Sequence, residues 1–458
     1  MGASRRLAAV TGFALLAAPP SGCSRHETAG PSHHLPQAWH AAHVDPEKGG
    51  RFLPERNRAL LSFQDEVVRS GAAIPYPHFY DSGTIVVAVN SSYPYSVRRL
   101  RTLLDHERRD PDLSVVVISD EPPDETKNRL GLQELAPTAR ITVVHETTPY
   151  SSHASFPFLR DYAPVLRVRP TATGLRTAGL VVFRGSSLNK VIDAQLGIRS
   201  LRDAESLSAR FKMTRSLAAF YAERLPAPIA IDELDLQMDG GNLITDGRGT
   251  CFFSRILLQR NSQARSSIER ELREKLGCIR SIFLPAPQRL DLLQHVDTML
   301  YFADPQNVIL SMPTFYESDL GREYQSLREL LNLGYRVHRV PRKTASITYT
   351  NILTTRRHVY VPQYSVYKVE SDAQLSINER LRRLDLERDR EQIARALRRP
   401  VETVTLPADS DVERDNRRAL EVLQRLQPDK SVVGVASDET VQTLGSWHCI
   451  SHELPEAL

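Results

Sequence analysis

Long apolar runs are scarce in this chain. The longest uncharged aliphatic stretch, Leu7 to Ala18, is shorter than the ~20 residues a permanent membrane helix needs, and no later segment is longer. A bilayer-spanning helix is therefore not expected. Charge of one sign is lacking too, since 59 Lys and Arg stand against 55 Asp and Glu and the two signs alternate along the chain. Interspersed charge of this kind makes a solvated surface, so no nucleic-acid partner is expected. Cysteine is rare, with Cys23, Cys251, Cys278 and Cys449 at no regular spacing. Once Cys23 is assigned to the N-terminal signal, an odd number remains, and an odd number leaves one thiol free.

What is present begins with that signal. Arg5-Arg6, the apolar run and Ser21-Gly22-Cys23 form the charged, apolar, small-residue sequence of an export signal. Residues 1–22 read as a signal peptide. Cys23 reads as a bacterial lipidation site, although Pro20 stands where such motifs usually carry Leu. Arg5-Arg6 also admits a twin-arginine reading. The expected location is outside the cytoplasm, as a periplasmic or outer-surface lipoprotein attached to the membrane through Cys23, or as a secreted protein. Residues 23–80 read as a tether and N-terminal segment, and 81–458 as the functional domain. His33, His34, His40 and His43 fall in the tether and are explained by a polar linker better than by a metal site.

Past residue 230 a unit of strand, turn, strand, helix and strand recurs. One copy reads Leu236 to Ile244, Gly249 to Ser254, a helix at 263–277 and Ile279 to Leu284. The next reads Val296 to Phe302, Asn307 to Met312, a helix at 317–333 and Tyr335 to Val340. A third reads Ile347 to Leu353, His358 to Pro362, a helix at 371–398 and Val401 to Leu406. Two further copies are expected, one from Asp161 through a helix at 202–224, the other pairing strands between Val432 and Ser451 with those after Thr84. Five units would close a ring, with loops meeting at a central axis where residues distant in sequence assemble a polar site.

Four segments bring reactive residue types to strand ends: Phe158-Leu-Arg-Asp161, Met238-Asp239-Gly240-Gly241-Asn242, Gln294-His295-Val-Asp297 and Ser446-Trp447-His-Cys449. Each alone has a structural explanation as a cap, a hairpin turn, an exposed strand face or a small buried side chain. Together they match one chemistry. A guanidinium is planar, cationic and rich in N–H donors, so carboxylates such as Asp161 and Asp297 suit it. Its central carbon is a poor electrophile that calls for a thiolate, which Cys449 can supply. Ammonia must leave and water must attack, a proton given and then taken, which suits His295. Strand alternation in His295-Val296-Asp297 would turn both side chains to one face.

These segments, with Asp246-Gly-Arg-Gly-Thr250, Tyr349-Thr-Asn351 and Val359-Tyr-Val-Pro362, resemble the guanidino-group-modifying enzymes, in their agmatine deiminase and bacterial peptidylarginine deiminase branch. The resemblance runs from about 158 to 451. It implies an α/β fold, a five-fold pseudo-symmetric αβ-propeller, and hydrolysis of a guanidine to a ureido product and ammonia without metal or cofactor. It implies Cys449 as nucleophile through a thiouronium, His295 as general acid and base, and Asp161 with Asp297 on the guanidinium. Asp239, Gly240, Gly241, Asn351 and Trp447 would line the substrate site. Asp239, Phe158, Gln294 and Trp447 depart from the family's commoner residues, which bears on substrate choice rather than reaction type. A Trp beside the nucleophile can stack on a cation. Rival readings are amidine transfer at the same Cys, His and Asp set, a binding protein on a retained propeller, and a papain-like protease, which the β-rich repeats disfavour. The substrate can be agmatine, arginine or peptidyl-arginine.

Overall fold

The computed structural model describes residues 53–90, 94–107, 110–131, 140–147, 158–171, 174–185, 203–225, 227–285, 295–313, 322–342, 348–365, 412–438 and 446–455. The signal, Cys23, the tether histidines, Gln294, the 371–398 helix and the 401–406 strand lie outside the described residues. No described helix is long and apolar enough to cross a membrane.

Hydrogen bonding gathers the described strands into five sheets. The first joins both ends of the fold: Thr84–Val89, Ser114–Ser119 and Arg140–His145 run parallel, and Ser451–Leu454 pairs antiparallel with Thr84–Val89. All residues of Thr84–Val89 and Ser114–Ser119 are buried. Their unbroken β-branched runs fit strands covered on both faces, where no solvent side asks for alternation. Leu100, Leu103 and Leu104 of the helix Pro94–Glu107 belong to the apolar cluster that buries one face.

The second sheet orders Ile74–Pro75, Val165–Thr171, Gly174–Arg184 and Ala230–Gln237, with the helix Asp203–Arg224 between its last two strands in sequence. The third, fourth and fifth repeat one plan. A short strand turns back antiparallel on a second, and a helical connection returns the chain to a third strand parallel to the second. A parallel partner cannot be reached by a tight turn, so the helix is a geometric requirement. These sheets are Ile244–Thr245, Thr250–Ser254 and Arg280–Leu284; then Leu300–Phe302, Asn307–Pro313 and Arg336–Arg342; then Leu353–Thr354, His358–Gln363 and Ser431–Ala436. In the third sheet the turn is set by Asp246, whose carboxylate accepts from the backbone of Arg248 (2.8 Å) and Thr250 (3.0 Å). A disulfide between Cys251 and Cys278 ties the second strand to the residues leading into the third.

Two expectations are corrected here. The fifth sheet takes Ser431–Ala436, reached from the helix Val412–Leu426, as the parallel partner of His358–Gln363, so Val432 pairs with Val359 rather than with the strands after Thr84, while the strand from Ser451 does pair with Thr84–Val89; the 401–406 expectation lies outside the described residues. Apolar runs at strand length look alike in sequence, and only the ladder tells which helix a strand follows. The N-terminal segment is also more than a tether. The helix Pro54–Ser70 sends Leu60 and Val67 into separate core clusters, Asn57 donates to the Gly334 carbonyl (2.9 Å), and Ile74–Pro75 pairs with the second sheet. Its apolar positions are spaced for one buried helical face.

Candidate active site

A single local device positions the reactive side chains. Just ahead of the strand Val165–Thr171 the chain makes a tight turn of helix at Leu159–Asp161. The same happens at Gly240–Asn242 before Ile244–Thr245, and at Val296–Thr298 before Leu300–Phe302. Trp447–Ile450 forms one helical turn before Ser451–Leu454, and Asn351 lies just ahead of Leu353–Thr354. Each tight turn is closed by an i to i+3 bond, such as Met299 N–H to the Val296 carbonyl at 2.9 Å. Every sheet thus delivers its functional residue at the entry to a strand.

This corrects the strand-alternation argument for His295 and Asp297. His295 has extended backbone and Asp297 lies inside the turn Val296–Thr298, so pleating does not align them. They meet all the same, around Gly241. A Cβ built there would stand 2.6 Å from His295 Nδ1 and 3.2 Å from both Asp161 Oδ1 and Asp297 Oδ2. Only a residue without a side chain leaves that space open. Gly240 has a different reason: its Cβ would strike the Arg160 carbonyl, so it permits close backbone packing.

Among the described residues Cys449 is the free cysteine, buried beside Phe158 and Ile450. Its Sγ lies 3.5 Å from Asp297 Oδ2 and accepts from Asn351 Nδ2 at 3.1 Å. Asn351 also donates to Asp297 Oδ2 (3.1 Å), while its Oδ1 accepts the backbone N–H of Cys449 (3.2 Å) and Ser446 (3.1 Å). It is a clamp between thiol and carboxylate. His295 stands between two carboxylates, Nε2 at 3.3 Å from Asp239 Oδ2 and Nδ1 at 3.6 Å from Asp161 Oδ1. Asp239 has both oxygens engaged, Oδ1 by Arg210 and Oδ2 by Arg260, each at 2.8 Å. It orients the imidazole rather than offering oxygens to a ligand. Asp161 Oδ1 and Asp297 Oδ1, by contrast, are buried without a hydrogen-bond partner among the described residues. Buried acceptors are almost always satisfied, so these two mark where a donor-rich ligand fits.

Electrostatics divide the acids by role. Burial, then the charges of Asp239 and Asp297, lift Asp161 to about 6 against the pull of His295 and Arg210. Burial raises Asp297 as well. Asp239 is held well below the carboxylate range because Arg210, His295 and Arg260 outweigh its burial. For His295 burial disfavours charge, yet Asp161, Asp239 and Asp297 overcome it and lift the imidazole to about 9. Burial, then Asp297 and Asp161, push the Cys449 thiol well above its ordinary value. The site therefore combines a protonated thiol and an imidazolium with two carboxyls, Asp161 and Asp297, that burial makes harder to ionise and that an incoming cation favours in their charged form.

Trp447, expected at the substrate, packs instead among Leu353, Tyr360 and Val435, its ring 5.3 Å from Tyr360. On one helical turn, residues two apart project in divergent directions, so Trp447 enters the core while Cys449 faces the site. Several residues here carried no assignment from sequence. Arg160 donates to the His448 carbonyl (3.3 Å) and pairs with Glu453, and His448 Nδ1 lies 2.7 Å from Asp297 Oδ2. His78, His448 and Glu453 bring ligand atoms within 4.8 Å of one another. The Arg160 guanidinium already holds the Glu453 carboxylate, and its charge opposes a cation there. The cavity behind, lined by Tyr76, His78, Arg160, His452 and Glu453 among others, has about 20 Å³, room for water rather than a substrate.

Solved structures share this fold. An agmatine deiminase of Enterococcus faecalis is 17% identical, with a TM-score of 0.55, and the match covers 85% of this chain and 97% of that one. A substrate-bound agmatine deiminase variant of C. jejuni is 15% identical, TM-score 0.54, over 84% and 97%. A candidate arginine deiminase of Porphyromonas gingivalis is 19% identical, TM-score 0.54, over 83% and 98%. At such identities the likeness is one of fold. The model of the Porphyromonas-type peptidyl-arginine deiminase family matches residues 158–385 and 401–455, which is most of the chain and includes the four reactive segments, and the chain belongs to that family of C–N hydrolases.

Proposed function

We propose that the protein hydrolyses the guanidinium group of agmatine, arginine or peptidyl-arginine to a ureido product and ammonia, through a covalent intermediate on Cys449. The observation that carries this reading is the meeting of two buried carboxylates, Asp161 and Asp297, with the His295 imidazole around Gly241, and of Asp297 Oδ2 with the Cys449 thiol at 3.5 Å. The guanidinium docks its N–H donors on the two carboxylates. Its positive charge offsets the field that holds Cys449 protonated, so substrate itself favours the thiolate, and the thiol proton passes to solvent. Sγ bonds to the central carbon, and the His295 imidazolium gives its proton to the departing ammonia. The neutral imidazole then takes a proton from water, whose hydroxyl adds to the carbon of the thiouronium. The C–S bond breaks as that hydroxyl gives its remaining proton to ammonia or solvent, and the neutral ureido product leaves with the thiolate restored.

The arrangement of five sheets, each supplying its residue ahead of a strand, supports a five-fold pseudo-symmetric propeller with the site on its axis. Export is supported by the Cys251–Cys278 disulfide, since such bonds persist in oxidising compartments. Attachment through Cys23 follows from the signal alone. Cell fractionation with a Cys23→Ala variant tests it, and an unchanged distribution would reject the anchor.

The deciding experiment supplies agmatine, free arginine and an arginine-containing peptide to protein lacking residues 1–22. Ammonia and a ureido product are measured, with and without an added amine. Ammonia with one of the three names the substrate; product only with the amine present points to amidine transfer; silence throughout rejects catalysis on these guanidines.

Two further outcomes follow from the geometry. The rate at low substrate is expected to be bell-shaped in pH. Asp161 must be ionised to hold the cation, so activity falls as pH drops through about 6, and His295 must carry its proton, so activity falls as pH rises through about 9. A flat profile between 5 and 10 would contradict both roles. Gly241→Ala is expected to lower kcat/KM roughly 10- to 100-fold and to lower the melting temperature, because the added methyl is forced into the buried space shared by His295, Asp161 and Asp297.

A further inference from the structure

The residue before the nucleophile has no part in the chemistry just described, yet it is built into the site. His448 is 2% exposed, and Asp297, to which it is hydrogen-bonded, is 1% exposed. Its Nδ1 lies 2.7 Å from Asp297 Oδ2. An ionised carboxylate only accepts, so this ring nitrogen carries the proton and donates. The opposite nitrogen, Nε2, is buried without a hydrogen-bond partner among the described residues, and the ring meets His78 edge to face at 4.4 Å. The main chain is held as well, since Arg160 Nε donates to the His448 carbonyl at 3.3 Å and Arg160 is paired with Glu453. Both side chain and backbone of His448 are therefore fixed.

The two oxygens of Asp297 are treated unequally. Oδ2 takes hydrogen bonds from His448 and Asn351 and lies near both the Cys449 thiol and the space around Gly241, whereas Oδ1 has none among the described residues. We infer that His448 is a positioning residue: its Nδ1–H pins Oδ2 of Asp297 and so fixes the carboxylate's orientation beside the thiol, where the guanidinium is received. The inference rests on the proposed guanidine chemistry for its consequence in turnover. Burial, then the nearby Arg160 and His78, keep the His448 imidazole well below its usual range, with Glu453 pulling the other way. It thus remains an uncharged donor across the working range rather than a second proton carrier. The groups facing Asp297 are His295, Arg160, Cys449, His78, His448 and Asp161; those facing His448 are Arg160, His78, Glu453, His452 and Asp297.

The sign of the effect follows. A donor to a carboxylate favours its ionised form, so removing His448 raises the Asp297 pKa beyond the value burial already gives it. In His448→Ala, kcat/KM is expected to fall roughly 10- to 100-fold, the range for losing a hydrogen bond that orients a working group. The acid limb, which needs Asp297 ionised as well as Asp161, should move to higher pH, as one charge-assisted hydrogen bond to Asp297 is lost. His448→Asn places an amide N–H where Nδ1 stands and should restore both the rate and the limb. An alanine profile that is lower but unmoved in pH, or an asparagine variant no better than alanine, would overturn the assignment.

A substrate-free reading keeps failure of the proposed function separate. Iodoacetamide alkylation of Cys449 above pH 8 is expected to be slower in His448→Ala than in the unsubstituted protein and normal in His448→Asn, because a less neutralised Asp297 raises the thiol pKa further. A merely structural role would loosen the site and speed the alkylation, and that result rejects the inference whether or not any guanidine is turned over.

Discussion

Cys449→Ala is expected to lose turnover by a factor on the order of 10⁴ or more, with melting temperature almost unchanged. Losses of that size follow removal of a covalent nucleophile from an otherwise intact site, where binding and electrostatics leave only residual acceleration. The thiol accepts one hydrogen bond, from Asn351, and fills a small space beside Phe158 and Ile450. Its removal therefore leaves a cavity of less than one residue and frees an amide that still reaches Asp297 at 3.1 Å. Substrate binding should survive, because Asp161 and Asp297 remain. Cys449→Ser should be nearly as inactive, since burial beside two acids opposes ionisation of a hydroxyl even more strongly than of a thiol. The check is single-turnover ammonia release beside equilibrium binding of the same guanidine. Retained binding with no turnover identifies the nucleophile, whereas turnover within tenfold of the unsubstituted enzyme would remove Cys449 from the mechanism.

Much of this site was legible from residue types alone. Asp161, His295, Asp297 and Cys449 announce themselves because a carboxylate, an imidazole and a thiol in one repeating context have few joint uses, and the structure brings the first three together around Gly241 and sets Cys449 against Asp297. The strand-turn-strand-helix-strand plan was legible too, as apolar runs with a tight turn and a helix between them constrain which ladders can form. What sequence could not give was the partner of each group. Arg210 and Arg260 lie in helical segments that read as ordinary charged surface, and nothing local says that both turn inward to one carboxylate. Trp447 and Cys449 are two residues apart, and without the helical turn between them their opposite directions could not be foreseen. The pairing of Val432 was not foreseen for a similar reason, since the ladder between Ser431–Ala436 and His358–Gln363 is a long-range fact.

Asp239 shows how far such hidden partnerships reach, and its removal should have the largest effect on stability. Arg210 is 1% exposed and Arg260 is 9% exposed, and both meet Asp239 at 2.8 Å. The imidazolium of His295 leans on the same carboxylate at 3.3 Å. Asn at this position keeps the shape and deletes the charge, so three cationic groups lose a shared counter-ion within a low-dielectric interior. Breaking one side of a buried ion pair typically costs about 3–5 kcal/mol. Asp239→Asn is expected to fall in that range, measured as a lower denaturant midpoint at unchanged slope. The catalytic signature has its own sign. Asp239 is one of the charges that hold His295 up at about 9, so without it the imidazole loses its proton at lower pH and the alkaline limb of the rate profile moves toward neutrality. Asp161→Asn would move the same limb in the same direction, but it also removes a substrate acceptor, so KM rises sharply there and much less in Asp239→Asn. A KM increase of equal size in the two variants would mean that Asp239 touches the guanidinium after all; a stable Asp239→Asn with an unmoved alkaline limb would mean that Arg210 and Arg260 find their counter-charge elsewhere.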